Sequence, residues 1–330
     1  MPDLHMYFRS GFVCILGRPN AGKSTLLNAL VGEKLAIISP KPQTTRNRIL
    51  GILNVPQDTG QDGAQIVLID TPGAHKPDSS LGRKMIIEMR EALEQGDLVL
   101  LILDATRKFD RHDQFALDML KHSATKTFLV LNKIDLRKGK DRLLPLIEEY
   151  RKLHNFDQII PISALKRDGL DLLLQMITVA LPAGPPYFPE DQITDQPTRF
   201  MVGEIVRERV LIETGQELPY ATAVIVDSFE EGEKLTRISA TIYCEREGQK
   251  GILIGKGGKM LKSIGTSARL QMERMLGTRI FLELFVKVRP NWRESRAFVE
   301  ELDWRRQLEN LTGTHGKLQI ARPKSRMAEK

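Results

Sequence analysis

The sequence is poor in the residues that hold disulfide-rich or metal-stapled proteins together. Its 330 residues include 2 cysteines, too few for a disulfide framework, and 6 histidines scattered without the spacing of a zinc site. Its longest aliphatic run, residues 98–103, is far shorter than the roughly 20 residues that a membrane-spanning helix needs. The first residues also lack the apolar core of a signal peptide. We therefore expect a reduced, cytoplasmic chain without structural zinc.

The composition is that of folded, soluble domains, with 41% hydrophobic and 28% charged residues. The length exceeds one ordinary domain, so we expect two domains or three. The net charge of +7 is unevenly spread, because residues 183–247 carry 6 basic and 13 acidic side chains and residues 248–330 carry 18 and 8. An anionic partner is expected to bind the last third, although a solvated helical face with a basic tail explains the charge alone equally well.

Strand-like and helix-like segments alternate through the first half. Apolar runs typical of strands lie at 12–16, 49–53, 65–69, 98–103, 127–131 and 158–161. Helix-period segments lie between or after them, at 24–31, 82–95, 111–121, 141–154 and 169–181. This alternation predicts an α/β domain with a mostly parallel sheet flanked by helices. The proline-dense segment 181–192 cannot continue a helix and is predicted to be part of an interdomain linker.

Residues 17–24 (GRPNAGKS) match the phosphate-binding loop pattern GxxxxGK[ST], between an apolar strand and a helix. In such a loop, backbone N–H groups surround phosphate oxygens, and the helix N-terminus favours negative charge. Lys23 is expected to neutralise the β- and γ-phosphates, and the Ser24 hydroxyl to ligate Mg²⁺. The segment therefore predicts a nucleoside triphosphate and Mg²⁺ as ligands.

Three further motifs follow in order, each at the end of a predicted strand. Asp70 opens DTPG and is placed to hold Mg²⁺ through water, while the Gly73 N–H can approach the γ-phosphate because no Cβ blocks it. Asp135 closes residues 132–135 (NKID), and its carboxylate accepts both the N1 and N2 protons of guanine, which adenine does not offer together. Residues 163–166 (SALK) present a backbone N–H to the guanine O6. The ordered set predicts GTP rather than ATP.

This half resembles the translation-factor-like GTPases, in particular the branch of the Era and EngA (Der) families. Residues 42–46 (PQTTR) look like the switch segment of that branch, whose threonine ligates Mg²⁺ when the γ-phosphate is present. The resemblance gives this role to Thr45, with Thr44 as the alternative. After DTPG, Ala74 stands where a glutamine orients the attacking water in Ras-like enzymes. GTP hydrolysis is therefore expected to be slow, or to be aided by an arginine from a partner or by a monovalent cation. Related GTPases with an asparagine at the position of Asn20 use potassium.

The last third carries a second motif. Strand-like segments at 221–227 and 235–244 precede residues 251–259 (GILIGKGGK), and a helix pattern at 260–276 and a strand at 280–288 follow. This order and the GxxG signature resemble a type II KH domain, in which glycines let single-stranded RNA approach and about four bases occupy a groove. Trp292 and Trp304 are expected to be packing residues rather than base platforms. The predicted RNA contacts are Ile254, Gly255, Lys256, Gly257, Gly258, Lys259 and Lys262, with Arg269 downstream.

Together the two motifs resemble the Era family of bacterial GTPases over about residues 10–303. The resemblance implies a monomeric ribosome-assembly factor that binds the 30S subunit near the 3′ end of small-subunit ribosomal RNA, with peripheral inner-membrane association also reported for the family. It divides the chain into a GTPase domain (8–182), a linker (183–198), an α+β type II KH domain (199–304) and a basic tail (305–330).

The predicted nucleotide site consists of the motif positions. We expect GTP or GDP to contact Gly17, Asn20, Ala21, Gly22, Lys23, Ser24, Thr25, Asp70, Gly73, Asn132, Lys133, Asp135, Ser163, Ala164 and Leu165. The predicted Mg²⁺ ligands are Ser24, Thr45 and, through water, Asp70. The predicted catalytic residues are Lys23, Thr45 and Gly73.

Two other functions fit part of the sequence. An RNA-binding scaffold with an idle GTPase half is disfavoured by the intact Lys23, Ser24 and Asp70, because an inactive site tolerates their loss. A tRNA-modifying GTPase of the same branch requires a helical insertion and a different carboxyl-terminal chemistry, and neither is visible.

The base motif makes a specific prediction. Asp135→Asn replaces an acceptor by an amide donor, which suits the O2 of xanthine better than the N2 amine of guanine. GTP affinity should fall by at least about 1–3 kcal/mol, the expected effect of an unpaired buried partner, and XTP affinity should rise. Direct nucleotide binding measures both, and unchanged GTP affinity would show that the base pocket is assigned wrongly.

Overall fold

The structure, a computed structural model, describes residues 8–39, 41, 44–57, 63–121, 123–137, 143–215 and 218–305. Pro42 and Gln43 of the predicted switch segment lie outside the described residues, as does nearly all of the predicted basic tail.

One six-stranded sheet organises the first half. Its strands are β1 (Arg9–Gly17), β2 (Ile49–Val55), β3 (Ala64–Asp70), β4 (Leu98–Asp104), β5 (Lys126–Asn132) and β6 (Gln158–Pro161). The spatial order is β2-β3-β1-β4-β5-β6, and β2 alone runs antiparallel to its neighbour. Every residue of β3 and β4 is buried, which is why their apolar residues follow one another without alternation. The predicted α/β fold is confirmed.

Helices cover both faces of this sheet. They are α1 (Lys23–Val31), α2 (Ser80–Gln95), α3 (Arg111–Leu120), α4 (Leu143–Arg151) and α5 (Leu170–Ala180). Successive strand residues point to opposite faces, so Ile15 packs in the core with α1 and α5, and Leu16 in the core with α2, α3 and α4. Helix α2 begins two residues before the predicted start, because the Ser79 hydroxyl accepts a hydrogen bond from the Gly82 N–H at 3.0 Å and caps it.

The proline-dense segment after α5 is fastened to the sheet. The Phe188 carbonyl accepts a hydrogen bond from Gln65 Nε2 at 2.8 Å, and the Ile193 carbonyl accepts one from the Ile52 N–H at 2.8 Å. The Thr194 hydroxyl donates to the Leu50 carbonyl at 2.7 Å. The segment thus runs beside the edge strand β2 and shields part of its unpaired backbone.

A three-stranded sheet organises the second half. It consists of β7 (Ala223–Glu230), β8 (Leu235–Cys244) and β9 (Arg279–Val288); β7 and β8 are antiparallel, and β8 and β9 are parallel. Helices α6 (Thr198–Glu213) and α9 (Lys259–Leu276) pack on this sheet, with Val206, Ile242 and Ile264 in their shared core. The other α-helices in the described part of this half are α7 (Leu218–Ala221), α8 (Glu247–Ile254) and α10 (Arg296–Glu301).

The structure corrects the sequence reading of this half at three places. The GxxG segment lies between two helices, α8 and α9, and not between a strand and a helix. Two glycines within α8 obscure its periodicity, and its start is fixed by Gln249 Oε1, which accepts the N–H groups of Glu245 and Arg246 at 2.8 and 3.1 Å. Helix α6 was not predicted either, and β7 begins at Ala223 rather than at 221 because α7 occupies the residues before it.

The two halves share a small apolar cluster. Leu81 and Met85 of α2 pack there with Trp292 and Phe298. The Trp292 ring is fully buried and its indole N–H donates to the Ala221 carbonyl at 2.9 Å. Trp304 is 6% exposed, so both tryptophans pack inside the protein, as expected.

Candidate nucleotide site and RNA groove

The phosphate-binding loop joins β1 to α1. Gly22 caps α1 with φ 98°, and a Cβ at this position would lie 2.2 Å from Asn132 Nδ2, so a side chain is excluded here. The Lys23 ammonium donates to the carbonyls of Gly17 and Arg18, both at 3.0 Å. Burial lowers the pKa of Lys23 to about 8. A phosphate group beside this ammonium would favour its charged form.

The three predicted Mg²⁺ ligands lie together. Ser24 Oγ donates to Asp70 Oδ2 at 2.7 Å and lies 2.9 Å from Thr45 Oγ1, which is 3.1 Å from the same carboxylate oxygen. Asp70 is fully buried, and its Oδ1 has no hydrogen-bond partner among the described residues. Mg²⁺ prefers oxygen ligands such as these hydroxyl and carboxylate groups and usually keeps several bound waters. The unpaired Asp70 Oδ1 could accept a hydrogen bond from one of those waters. The Thr44 hydroxyl instead donates to the Lys41 carbonyl at 2.8 Å.

After Asp70, the backbone of Gly73 and Ala74 lies directly against the phosphate-binding loop, with no side chain between them. A Cβ on Gly73 would lie 2.7 Å from the Pro19 side chain, so this close approach requires glycine. The Ala74 N–H donates to the Gly17 carbonyl at 3.0 Å, and its methyl group is fully buried in the core. Ala74 therefore has no group that can orient a water molecule over the phosphates.

The base-recognition loops are tied together by Asn132. Its Nδ2 donates to the Ala21 carbonyl at 2.8 Å, and its Oδ1 accepts the N–H groups of Lys133 and Ala164 at 2.8 and 3.0 Å. The Ala164 N–H is thus already bonded, whereas Leu165 beside it is 73% exposed.

Two further predicted residues complete this edge. Asp135 is exposed, and its Oδ1 accepts the Ser163 hydroxyl at 2.6 Å, which orients the carboxylate. Lys133 adopts φ 68° and donates Nζ to the Asn20 carbonyl and to Asp104 Oδ2, each at 2.7 Å. Its side chain therefore lies along the phosphate-binding loop. Asn20, Thr25 and both switch threonines line one cleft together with Lys23 and Ser24.

Arg18 is a structural part of this site that the motif reading did not single out. Its Nη1 lies 2.7 Å from Asp110 and 3.1 Å from Asp113, the two residues that form the capping box of α3. These two ion pairs, of which the one with Asp113 is buried, hold the phosphate-binding loop to α3. Two aspartates three residues apart at a helix start indicate a capping box, and this pattern is visible in the sequence. No local pattern, however, indicates that these aspartates pair with Arg18.

The GxxG turn presents open backbone. Gly257 and Gly258 adopt φ 61° and 76°, and a Cβ on either would meet nothing within 4 Å. Lys256, Lys259 and Lys262 are exposed around them. The turn therefore offers close approach and positive charge to a phosphate backbone.

A groove runs from this turn between α9 and β9. Its wall combines apolar and basic side chains, namely Leu261, Lys262, Arg269, Leu282 and Leu284. Leu282 and Leu284 were not predicted as part of it, because the alternation of β9 shows that alternate residues share a face but not which face meets the groove. Apolar walls beside basic residues suit unstacked bases attached to phosphates.

Known proteins resemble this chain over most of its length. A family described as 50S ribosome-binding GTPase matches residues 12–133, and the KH domain family matches residues 217–293. GTPase Era of Syntrophus aciditrophicus is 51% identical over 299 residues, 90% of this chain and 95% of that protein. GTPase Era of Geobacter metallireducens is also 51% identical, over 90% and 98% of the two chains. The chain belongs to the Era family of GTPases.

Solved structures of the Era family have the same fold. A crystal structure of Era in complex with MgGDPNP and nucleotides 1506–1542 of 16S ribosomal RNA has a TM-score of 0.86 and 41% identity, covering 90% of this chain and 99% of that one. A variant of Aquifex aeolicus Era bound to GDP·AlF4⁻ has a TM-score of 0.85 and 42% identity at the same coverage. The chain is accordingly a GTPase followed by a KH domain.

Removing the hydroxyl of either switch threonine is expected to have a different effect on nucleotide binding. Thr45→Val removes the hydroxyl that meets Ser24 and Asp70, so affinity for a non-hydrolysable GTP analogue with Mg²⁺ should fall at least tenfold, about 1.4 kcal/mol, while GDP affinity stays unchanged. Thr44→Val is the matched control, since its hydroxyl faces the Lys41 carbonyl, and both affinities should stay within about twofold of the original. The reverse pattern would assign the metal to Thr44.

Proposed function

We propose that this chain is a GTP-hydrolysing switch that binds single-stranded RNA at the 3′ end of small-subunit ribosomal RNA and assists assembly of the 30S subunit. The observation that carries the proposal is the presence of an intact GTP site and an open GxxG groove in one chain whose relatives are Era proteins. The family described as 50S ribosome-binding GTPase matches residues of the GTPase half alone, whereas a solved Era structure that matches both halves contains nucleotides of 16S ribosomal RNA. The small subunit is therefore the favoured target.

The residues of the site divide the work on GTP. Lys23 binds the β- and γ-phosphates, and the Gly73 N–H meets the γ-phosphate. Ser24, Thr45 and Asp70 would hold Mg²⁺, which when bound offsets the negative charge of the phosphates. Asp135 and Ser163 select guanine. Because the Ala74 methyl is buried, water must be oriented by other groups, and intrinsic hydrolysis is expected to be slow.

Potassium is the aid that the loop sequence favours. Asn20 has φ 63°, its carbonyl accepts a hydrogen bond from the Lys133 ammonium, and it lines the cleft of the phosphate-binding loop. We expect GTP hydrolysis to be faster in KCl than in NaCl at equal ionic strength, and Asn20→Asp to change that ratio. Equal rates in the two salts would remove potassium from the mechanism and leave a partner's arginine as the remaining aid.

The switch segment is fastened to the RNA-binding half on both sides of Thr45. Arg207 of α6 donates Nη2 to the Thr44 carbonyl, and Arg46 donates Nη1 to the Thr222 carbonyl at 2.8 Å. Movement of Thr45 onto a bound metal therefore acts on two contacts between the halves.

Glu208 extends this connection to the RNA groove. Its carboxylate is buried and accepts the Ile38 N–H at 3.1 Å and the Lys34 ammonium at 2.6 Å, both from the GTPase half. The same carboxylate accepts Gln271 Nε2 at 3.2 Å. Gln271 lies on α9, two residues after Arg269 at the groove wall. We infer that nucleotide state and RNA affinity are coupled through these contacts.

The coupling predicts different RNA affinities in the two nucleotide states. RNA carrying the 3′ end of 16S ribosomal RNA should bind more tightly with a non-hydrolysable GTP analogue than with GDP, typically by 5–150-fold for couplings of this kind, and RNA should favour the GTP analogue by the same factor. Both affinities are measured at one stated salt concentration, because phosphate contacts are salt-dependent. Equal RNA affinities would leave two modules that only share a chain.

A variant of the turn is the control for this experiment. Gly257→Asp should abolish RNA binding in both nucleotide states without changing basal hydrolysis. Gly257→Asn adds a similar side chain without charge, and both residue types tolerate positive φ. RNA binding at least tenfold tighter in the asparagine variant, about 1.4 kcal/mol, attributes the loss to charge at the phosphate approach. Unchanged RNA affinity in both variants would move the RNA site away from the turn.

Location follows from the RNA target. Because ribosomal RNA is assembled with its proteins in the bacterial cytoplasm, we propose that the chain acts there. Among the described residues no helix is both long and apolar enough to cross a bilayer. Association with the inner-membrane surface stays a prediction from the family resemblance.

A further inference from the structure

A cavity with both charged and apolar walls lies where the two halves meet, between the end of the switch segment, α2, α6, β7 and α10. Five charged side chains line it: Arg46, Lys84, Arg199, Glu204 and Arg207. Apolar side chains, including Leu81, Val224 and Val299, form the remaining wall. Four cations thus face one carboxylate in a partly enclosed space.

The positive charges of this cavity are incompletely balanced. Glu204 pairs with Arg207 at 2.6 Å, and Asp303 lies 3.0 Å from the Lys84 ammonium. Arg199 donates to the backbone carbonyls of Val226 and Asp227. Arg46 and Arg207 both line the cavity and are both buried, so two guanidinium charges repel each other at its wall.

A buried donor at the cavity wall has no partner. Arg207 is 3% exposed, and its Nη1 makes no hydrogen bond within the part of the chain that the structure describes. Leaving such a group unpaired destabilises a protein by about 1–3 kcal/mol, more for charged groups. A ligand with acceptor oxygens in the cavity would satisfy this guanidinium nitrogen.

We propose that this cavity binds a phosphate-class oxyanion, held by Arg207 Nη1, Arg199 and Lys84. Guanidinium groups match the geometry of phosphate oxygens, and the ammonium adds a point charge. The bound anion neutralises the repulsion between Arg46 and Arg207 and fixes the junction next to Thr45. Free phosphate and a phosphate of the RNA backbone present the same chemistry.

The test uses the full-length chain saturated with GDP and Mg²⁺, so that the phosphate-binding loop is occupied. Sodium phosphate is titrated against sodium chloride at constant ionic strength, and the thermal unfolding midpoint is recorded. We expect a saturable rise, because a ligand that binds the folded state raises stability with its concentration. Arg199→Gln and Lys84→Gln should each raise the apparent dissociation constant at least fivefold, and Lys152→Gln, an exposed lysine beyond α4, should not change it.

A general salt effect gives a different result. Phosphate stabilises many proteins by exclusion from their surface, which produces a rise that does not saturate and is the same in every variant. That result would overturn the proposal. Isothermal titration of phosphate into the same GDP-saturated samples provides a second readout that does not rely on thermal unfolding.

Repeating the titration with RNA bound identifies the source of the oxyanion. If an RNA phosphate occupies the cavity, RNA removes the phosphate-induced rise and Arg199→Gln weakens RNA binding at least fivefold. If free phosphate is the ligand, the rise persists with RNA bound and the variant binds RNA as before. Both outcomes support the anion site, and the first titration tests it even if the proposed ribosomal target is wrong.

Discussion

The side-chain amide of Asn132 is the contact on which the nucleotide site depends. It is 2% exposed and joins the phosphate-binding loop, the NKID motif and the SALK loop through one donor and two accepted hydrogen bonds. An aspartate lacks the donor, and a leucine of similar shape lacks both functions, so either would leave buried backbone groups unpaired. The same amide fills the space where a side chain on Gly22 would lie. Phosphate and base recognition are therefore assembled around one residue.

Much of this site could be predicted because its residues follow strand ends. Carboxyl ends of parallel strands meet at one edge of a sheet, so Ser24, Asp70 and Asp135 were expected to converge once the strands were recognised. The partners that position them could not be read in the same way. Arg18 is held by α3, more than 90 residues away along the chain, and no local pattern indicates that pairing. The geometry also separates Thr45 from Thr44, which adjacent positions in the sequence left open.

The RNA-binding half was predictable at its turn and less so around it. Gly257 and Gly258 indicated that a phosphate backbone can approach closely, and the structure adds that both glycines have a left-handed backbone with open space around them. The sequence pattern did not predict helix α6 because its buried face carries charged residues: Arg207 and Glu208 are 3% and 1% exposed. Such side chains suggest a solvated surface until their partners are known, and here the partners lie in the other half of the chain.

The energy needed to couple the two halves is small compared with the contacts available. A coupling of 1–3 kcal/mol corresponds to one or two buried hydrogen bonds that differ between states, since each contributes about 0.5–1.5 kcal/mol net. Arg207 to Thr44 and Arg46 to Thr222 are two such bonds, and they flank Thr45, the proposed Mg²⁺ ligand. The apolar cluster of Leu81, Met85, Trp292 and Phe298 can keep the halves in contact while these polar bonds change. A communication route through either hydrophobic core is therefore unnecessary, because the switch segment itself forms part of the junction.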